Sequence, residues 1–236
     1  MRVVTTCNKT GLELYGHRWL KGMANWPAGA EFHWYTEGYE APKGVIATDF
    51  AELPAFTQWK LKHAGYEPPS WQWNVVGYAH KVFAAADALY DYDGIGVWLD
   101  ADVVTYKKIP EALMATLLDG HYLARFERTG MYTETGMWIV DCRHPEHRNF
   151  LDAWRNVYFS ERYKVLPQWH DCMTMDATVR TFLSDGRITT TNLSGEHCKA
   201  PHPMAVTEIG KYLDHCKGPR KIKGRSPENK FRKGGK

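Results

Sequence analysis

The order of the apolar runs constrains this chain more than any other feature. "RVVTT" at residues 2–6 reads as a short buried strand, and "GLELYGHRWLKGMANW" after it spaces Leu12, Leu14, Tyr15, Trp19, Leu20 and Met23 as a helix would. "AEFHWYTE" and "GVIATD" follow as two more strands, with "EAP" turning the chain between them, which is the start of a βαβ unit. "NVVGYAHKVFAAADALYDY" is an Ala-rich helix ended by the turn "DYDG", and it leads straight into the strand "GVWLD". Further along, "HYLARF" and "GMWIVD" read as strands, and "PEHRNFLDAWRNVYF" and "HDCMTMDATVRTFL" as helices. Residues 50–73 are aromatic, interrupted by proline and without a clear period, so they read as irregular or as short helices. Strands alternating with helices predict an α/β sheet, whose ligands lie beyond the carboxyl ends of the strands near a switch in strand order.

One such strand end carries chemistry. Asp100 and Asp102 close "GVWLD" with only Ala101 between them. Like charges at that separation raise each other's pKa unless a cation lies between them, and hard oxygen ligands of this kind suit Mg²⁺ or Mn²⁺ shared with phosphate oxygens. A solvated turn after a strand also accommodates Asp, but here apolar residues flank the pair on both sides and "KKIP" follows in place of a Gly/Asn turn.

This pattern resembles the glycosyltransferases of the GT-A fold, in which an Asp-x-Asp closes a strand after a helix bearing a basic residue. A second match lies far along the chain. His215, Gly218 and Lys221 in "HCKGPRK" reproduce the H-x-x-G-x-x-K order of the retaining, glycogenin-like branch, with Ile222 where an aromatic usually follows the lysine. The resemblance implies a GT-A type, single Rossmann-like domain over residues 1–222, with a central mixed, mostly parallel sheet flanked by helices. It also implies a nucleoside-diphosphate sugar as donor, a UDP-sugar first among them, with Mn²⁺ or Mg²⁺ on the diphosphate. Asp102 would then ligate the metal, Asp100 the metal or the ribose, and His215 would add an imidazole ligand.

Other roles follow from the same resemblance. Gly218 would let the backbone approach phosphate, and Lys221 would neutralise the leaving diphosphate. Thr5, Thr6 and Asn8 would grip the base and ribose, Ala101 would lie along the donor, and Lys81 would reach the donor sugar or diphosphate. Glu134, Thr135 and Gly136 in "ETGMWIVD" would line the donor sugar and acceptor, and Asp171 in "QWHDCM" would face the acceptor or sugar hydroxyls. Asp171 at a helix start also suits plain capping. The C-terminal motif implies retention at the anomeric carbon without an obligatory enzymatic base. Inversion would require a carboxylate base, with Asp171 the first choice and Glu134 the second.

Composition bears mainly on the partners. Net charge over the 236 residues is +3, but nine Lys or Arg and one acid lie from Lys217 onward, leaving an acidic body and a basic end. Residues 223–236 read as a flexible basic tail that is either solvated or in contact with a polyanion. An acceptor fitting that tail is DNA carrying a hydroxymethylated pyrimidine, as modified by some phage glycosyltransferases. A bacterial surface-glycan precursor is the alternative, and a non-catalytic nucleic-acid-binding protein is the reading from another class. The ten tryptophans, Trp71 and Trp169 among them, offer platforms for sugar rings or bases, or core. Five cysteines without C-x-x-C pairing predict free thiols and argue against zinc. With no basic and apolar leader and no long apolar run, the expected location is the cytoplasm of a bacterial or virus-infected cell.

Overall fold

Val3 and Val4 are fully buried in β1 (Arg2–Thr6), an interior strand of the central sheet. In the computed structural model, which describes residues 1–232, β1 pairs in parallel with β2 (Glu31–Thr36) and with β4 (Ile95–Leu99). β3 (Ile46–Asp49) extends the sheet in parallel beyond β2. On the other side β7 (Glu134–Asp141) lies antiparallel to β4, followed by β6 (Leu123–Phe126) and β8 (Thr190–Asn192). The order β3-β2-β1-β4-β7-β6-β8 contains one reversed strand, β7, so the sheet is mixed and mostly parallel, as expected.

Strand alternation divides the core into two layers. Val4 and Trp98 face the helices Val75–Leu89, His147–Phe159 and Asp171–Ser184, whose apolar side chains form one buried cluster with them. Val3, Val97 and Leu99 face the other way, onto Trp19 of the first helical segment, Trp26 just after it, and Leu113 and Met114 of the helix Leu113–Leu118. The Val75–Leu89 helix starts where the Asn74 side chain accepts a hydrogen bond from Gly77 N–H, and its run Phe83–Ala86 is buried against the sheet.

Three features refine or change the expectations. The first helix is helical throughout residues 9–25 but passes through π turns at Leu12–Gly16, an α segment at His17–Gly22 and a 3₁₀ turn at Met23–Asn25. Close packing accompanies this, since a Cβ on Gly22 would stand 3.0 Å from Thr105 Cβ. Within residues 50–73, read as irregular or as short helices, Pro54–Lys62 is a short helix. Pro54 occupies its first turn, where no N–H is needed, and Phe56 and Trp59 are buried against Phe83.

The third change concerns the C-terminal segment. β5 (Val103–Thr105) and β9 (Leu213–His215) form a separate antiparallel pair with Val103 opposite His215. Residues beyond 222 pack against it. Ser226 N–H donates to Asp214 Oδ2 and Ser226 Oγ to His215 O, both at 2.9 Å, and Asn229 Nδ2 donates to the carbonyls of Gly210 and Leu213. Arg232 pairs with the fully buried Asp214 at 3.2 Å. Ser and Asn supply the donors that β9 needs, so the described part of the segment expected to be flexible is docked; residues 233–236 lie outside the described residues. All five cysteines are free, and among the described residues no helix is long and apolar enough to cross a membrane.

Candidate active site

The carboxyl end of β4 is held by its neighbour: Asp100 N–H donates to Gly136 O at 2.8 Å, one step beyond the ladder. Asp100 shares a sheet face with Trp98, two residues earlier, and Trp98 Nε1 donates to Asp100 Oδ1 at 2.7 Å. Lys81 rises from the Val75–Leu89 helix to the same oxygen at 2.7 Å and to Asp171 Oδ2 at 2.7 Å. It also donates to Thr135 O at 3.1 Å, while Thr135 Oγ1 donates to Asp171. Asp171 opens the helix Asp171–Ser184, whose N-cap is the His170 side chain accepting from Met173 N–H. Burial alone would depress the Lys81 pKa, but Asp100 and Asp171 on either side raise it, so the ammonium stays charged. Burial likewise opposes the Asp171 charge, and Lys81 with the Thr135 hydroxyl lowers its pKa all the same.

The second half of the site comes from the β5/β9 pair. Cys216 N–H donates to Asp102 O at 3.1 Å, which ties the C-terminal segment to the acidic pair across more than 100 residues of sequence. His215 Nε2 lies 3.1 Å from Asp102 Oδ1 and 3.8 Å from Asp100 Oδ2, and Nδ1 hydrogen-bonds Glu134 Oε1 at 2.8 Å. Lys217 Nζ reaches the same Glu134 oxygen at 3.2 Å. Lys221 Nζ is 3.1 Å from Asp102 Oδ2 and 4.8 Å from the Tyr15 ring centre. Burial works against a charged His215, yet Asp102, with help from Glu134, holds its pKa up at about 9. Asp102 is buried too, and His215 and Lys221 keep its carboxyl well below the usual range. The Glu134 pKa, despite burial, falls to about 2 through His215 and Lys217.

Asp100, Asp102 and His215 place one donor atom each within 4.8 Å of one another. Among the described residues Asp102 Oδ1 is buried with the His215 imidazole, 3.1 Å away, as its one close polar neighbour. The imidazole fits only because residue 136 is glycine: a Cβ there would stand 2.1 Å from His215 Cε1. Two carboxylate oxygens and one imidazole, with a buried oxygen that only the imidazole faces, fit Mn²⁺ well and Mg²⁺ less so, since imidazole suits transition metals.

These groups line a cavity of about 650 Å³, which also takes in Gly136, Gly218 and Asp171. Not every expected residue reaches it. Thr5 is fully buried in β1, Thr6 Oγ1 donates to Tyr35 O, and Asn8 caps the turn Lys9–Gly11 through Gly11 N–H. Ala101 is part of the apolar layer with Val3 and Leu99, and Glu134 sits behind His215. Trp98, Lys217, Tyr132 and His170 belong to the site without having been singled out from sequence. The position of Trp98 two residues before Asp100 was the one usable signal; the others depend on loops whose placement has no local pattern.

No protein-family model matches the chain, and no curated protein does. Its backbone is similar to mouse xyloside xylosyltransferase 1, at 10% identity and a TM-score of 0.51 over 81% of this chain and 84% of that one. It also aligns with the galactosyltransferase LgtC at 14% identity and a TM-score of 0.49, over 76% of this chain and 70% of that one. The likeness to the xylosyltransferase, together with the mixed seven-stranded sheet, shows the α/β GT-A type fold.

Proposed function

We propose that this chain is a metal-dependent glycosyltransferase using a nucleoside-diphosphate sugar, a UDP-sugar first among them. The observation that carries this reading is the convergence of Asp100, Asp102 and His215, from two distant segments, at the mouth of a cavity beyond the carboxyl end of β4, with Lys221 beside them. Asp100, Asp102 and His215 would hold Mn²⁺, which when bound neutralises diphosphate charge.

The chain's own residues supply the rest. Lys221 is half-buried and, among the described residues, ion-paired with Asp102 alone, so a diphosphate can draw its ammonium away and use it as the leaving group departs. Glu134 fixes the His215 ring by taking Nδ1, which turns Nε2 toward the acidic pair. Lys81 holds Asp100 and Asp171 at a fixed spacing on the far wall. Neither carboxylate considered as a base is free: Asp171 is held by Lys81 and Thr135, Glu134 by His215 and Lys217, and both have lowered pKa values. This favours transfer driven by the leaving group. The acceptor oxygen bonds to the anomeric carbon as the bond to the diphosphate oxygen breaks, and the acceptor proton leaves with the diphosphate or to water.

The test is donor turnover. Incubated with a panel of UDP-sugars and Mn²⁺, the protein should release UDP, and EDTA or Asp102→Asn should stop the release while the thermal transition is retained. UDP release that ignores both treatments would remove the metal and Asp102 from the reaction.

A further inference from the structure

Among the tryptophans of the chain, Trp71 is unusual in lining the cavity while remaining 55% exposed. Its exposure does not come from looseness. Trp169 N–H donates to Gln72 O at 2.9 Å, Tyr66 Oη donates to Trp73 O, and Trp73 packs edge-on against Trp169, so both neighbours of Trp71 are pinned. The indole lies on the His170 ring, with centroids 5.7 Å apart and planes 29° apart, and His170 is wedged against Tyr132 at 4.2 Å. An indole with both chain neighbours pinned thus faces a cavity that also carries the polar groups of Lys81, Asp100, Arg128 and Asp171.

Sheet order gives this plate its meaning. β1, whose carboxyl end carries Thr5 and Thr6, flanks β4 on one side; β7 and the Asp171–Ser184 helix, with His170 before it, lie on the other. Through its contact with His170, Trp71 belongs to the second side. Resting on the transferase reading above, we infer that Trp71 is the floor of the acceptor subsite and that the acceptor presents a pyranose ring to it.

The chemistry favours a sugar over a polyanion. A pyranose has one face of C–H bonds that stacks on an indole and a rim of hydroxyls that need donors and acceptors. Arg128, Tyr132 and Asp171 supply such a rim around the plate. A phosphodiester chain would need several free cations here, but Lys81 is enclosed by Asp100 and Asp171. The basic segment is also partly committed: Lys217, Arg220, Lys221 and Arg232 pair with Glu134, Glu228, Asp102 and Asp214.

The full chain labelled with 5-fluorotryptophan provides the test, with the Trp71 signal identified by its loss in Trp71→Phe. Titration with methyl glucosides, galactosides and xylosides in the presence of UDP and Mn²⁺ should shift that signal saturably for at least one glycoside. Trp71→Ala should weaken that glycoside at least tenfold as ligand and raise its acceptor KM equally, with kcat changed far less. A shift produced by UDP alone would place a nucleobase on Trp71, and a shift produced only by hydroxymethyldeoxycytidine oligonucleotides would assign the plate to a flipped base. Either result overturns the inference, as does donor hydrolysis with no glycoside response. A glycoside response without donor hydrolysis would instead sink the transferase reading and leave the sugar subsite in place.

Discussion

Gly136 and His215 are 79 residues apart in sequence and in such close contact that a Cβ on Gly136 would stand 2.2 Å from His215 Nδ1. Gly136→Ala should therefore push the imidazole off Glu134 and away from Asp102. The expected result is a 10- to 100-fold loss of Mn²⁺ affinity, about the effect of removing an outer-shell partner, with the sheet intact. Mn²⁺ titration followed by electron paramagnetic resonance checks it. Unchanged affinity would mean that His215 does not ligate.

The metal-free protein should lose stability as pH rises. His215 has a folded pKa of about 9, against an ordinary value of about 6.5 in the unfolded chain. Its contribution is full below pH 6.5 and is lost as pH rises through 9, and amounts to no more than about 3 kcal/mol. Thermal melts in EDTA at pH 6, 7.5 and 9 should show a falling transition that His215→Gln flattens. A transition that rises over this interval would contradict the charged histidine.

Two lysines of the site should behave differently. Lys81 is the buried cation between Asp100 and Asp171, so Lys81→Met leaves a buried carboxylate uncompensated and should cost about 3–5 kcal/mol. Lys221 keeps 37% of its side chain exposed, and Lys221→Met should cost under about 1 kcal/mol while reducing UDP release strongly. Urea unfolding of the two variants beside donor turnover separates structural from chemical loss. Equal destabilisation would refute the distinction.

Truncation after Ile222 should not be silent. It removes Ser226, Asn229 and Arg232 from β9 and from the buried Asp214, next to His215. The truncated chain should melt at a lower temperature than the full chain, and its Mn²⁺ affinity should fall with it, although every candidate ligand is retained. A truncated chain with unchanged melting and affinity would show that the docked segment is dispensable.

Local pattern in the sequence determined six of the seven strands of the main sheet, the three long helices and the two motifs, but not the three-residue strands β5, β8 and β9. Apolar alternation, Ala content and a carboxylate pair at a strand end are properties of neighbouring residues. The helix Pro54–Lys62 was legible only as one of two readings, because it is short and its buried residues are just Phe56 and Trp59. The docking of residues 224–232 escaped because Ser, Asn and Pro in a basic segment look the same whether solvated or bonded to a buried strand. Tertiary structure alone decided that Lys81 bridges Asp100 and Asp171, that Glu134 serves His215 rather than the cavity, and that Trp71 stays exposed. The first two depend on contacts closed by the β4/β7 and β5/β9 pairings, and the third on the contacts of Trp169 and His170 with the loop around Trp71, all across long stretches of chain whose separations the fold sets and sequence spacing does not.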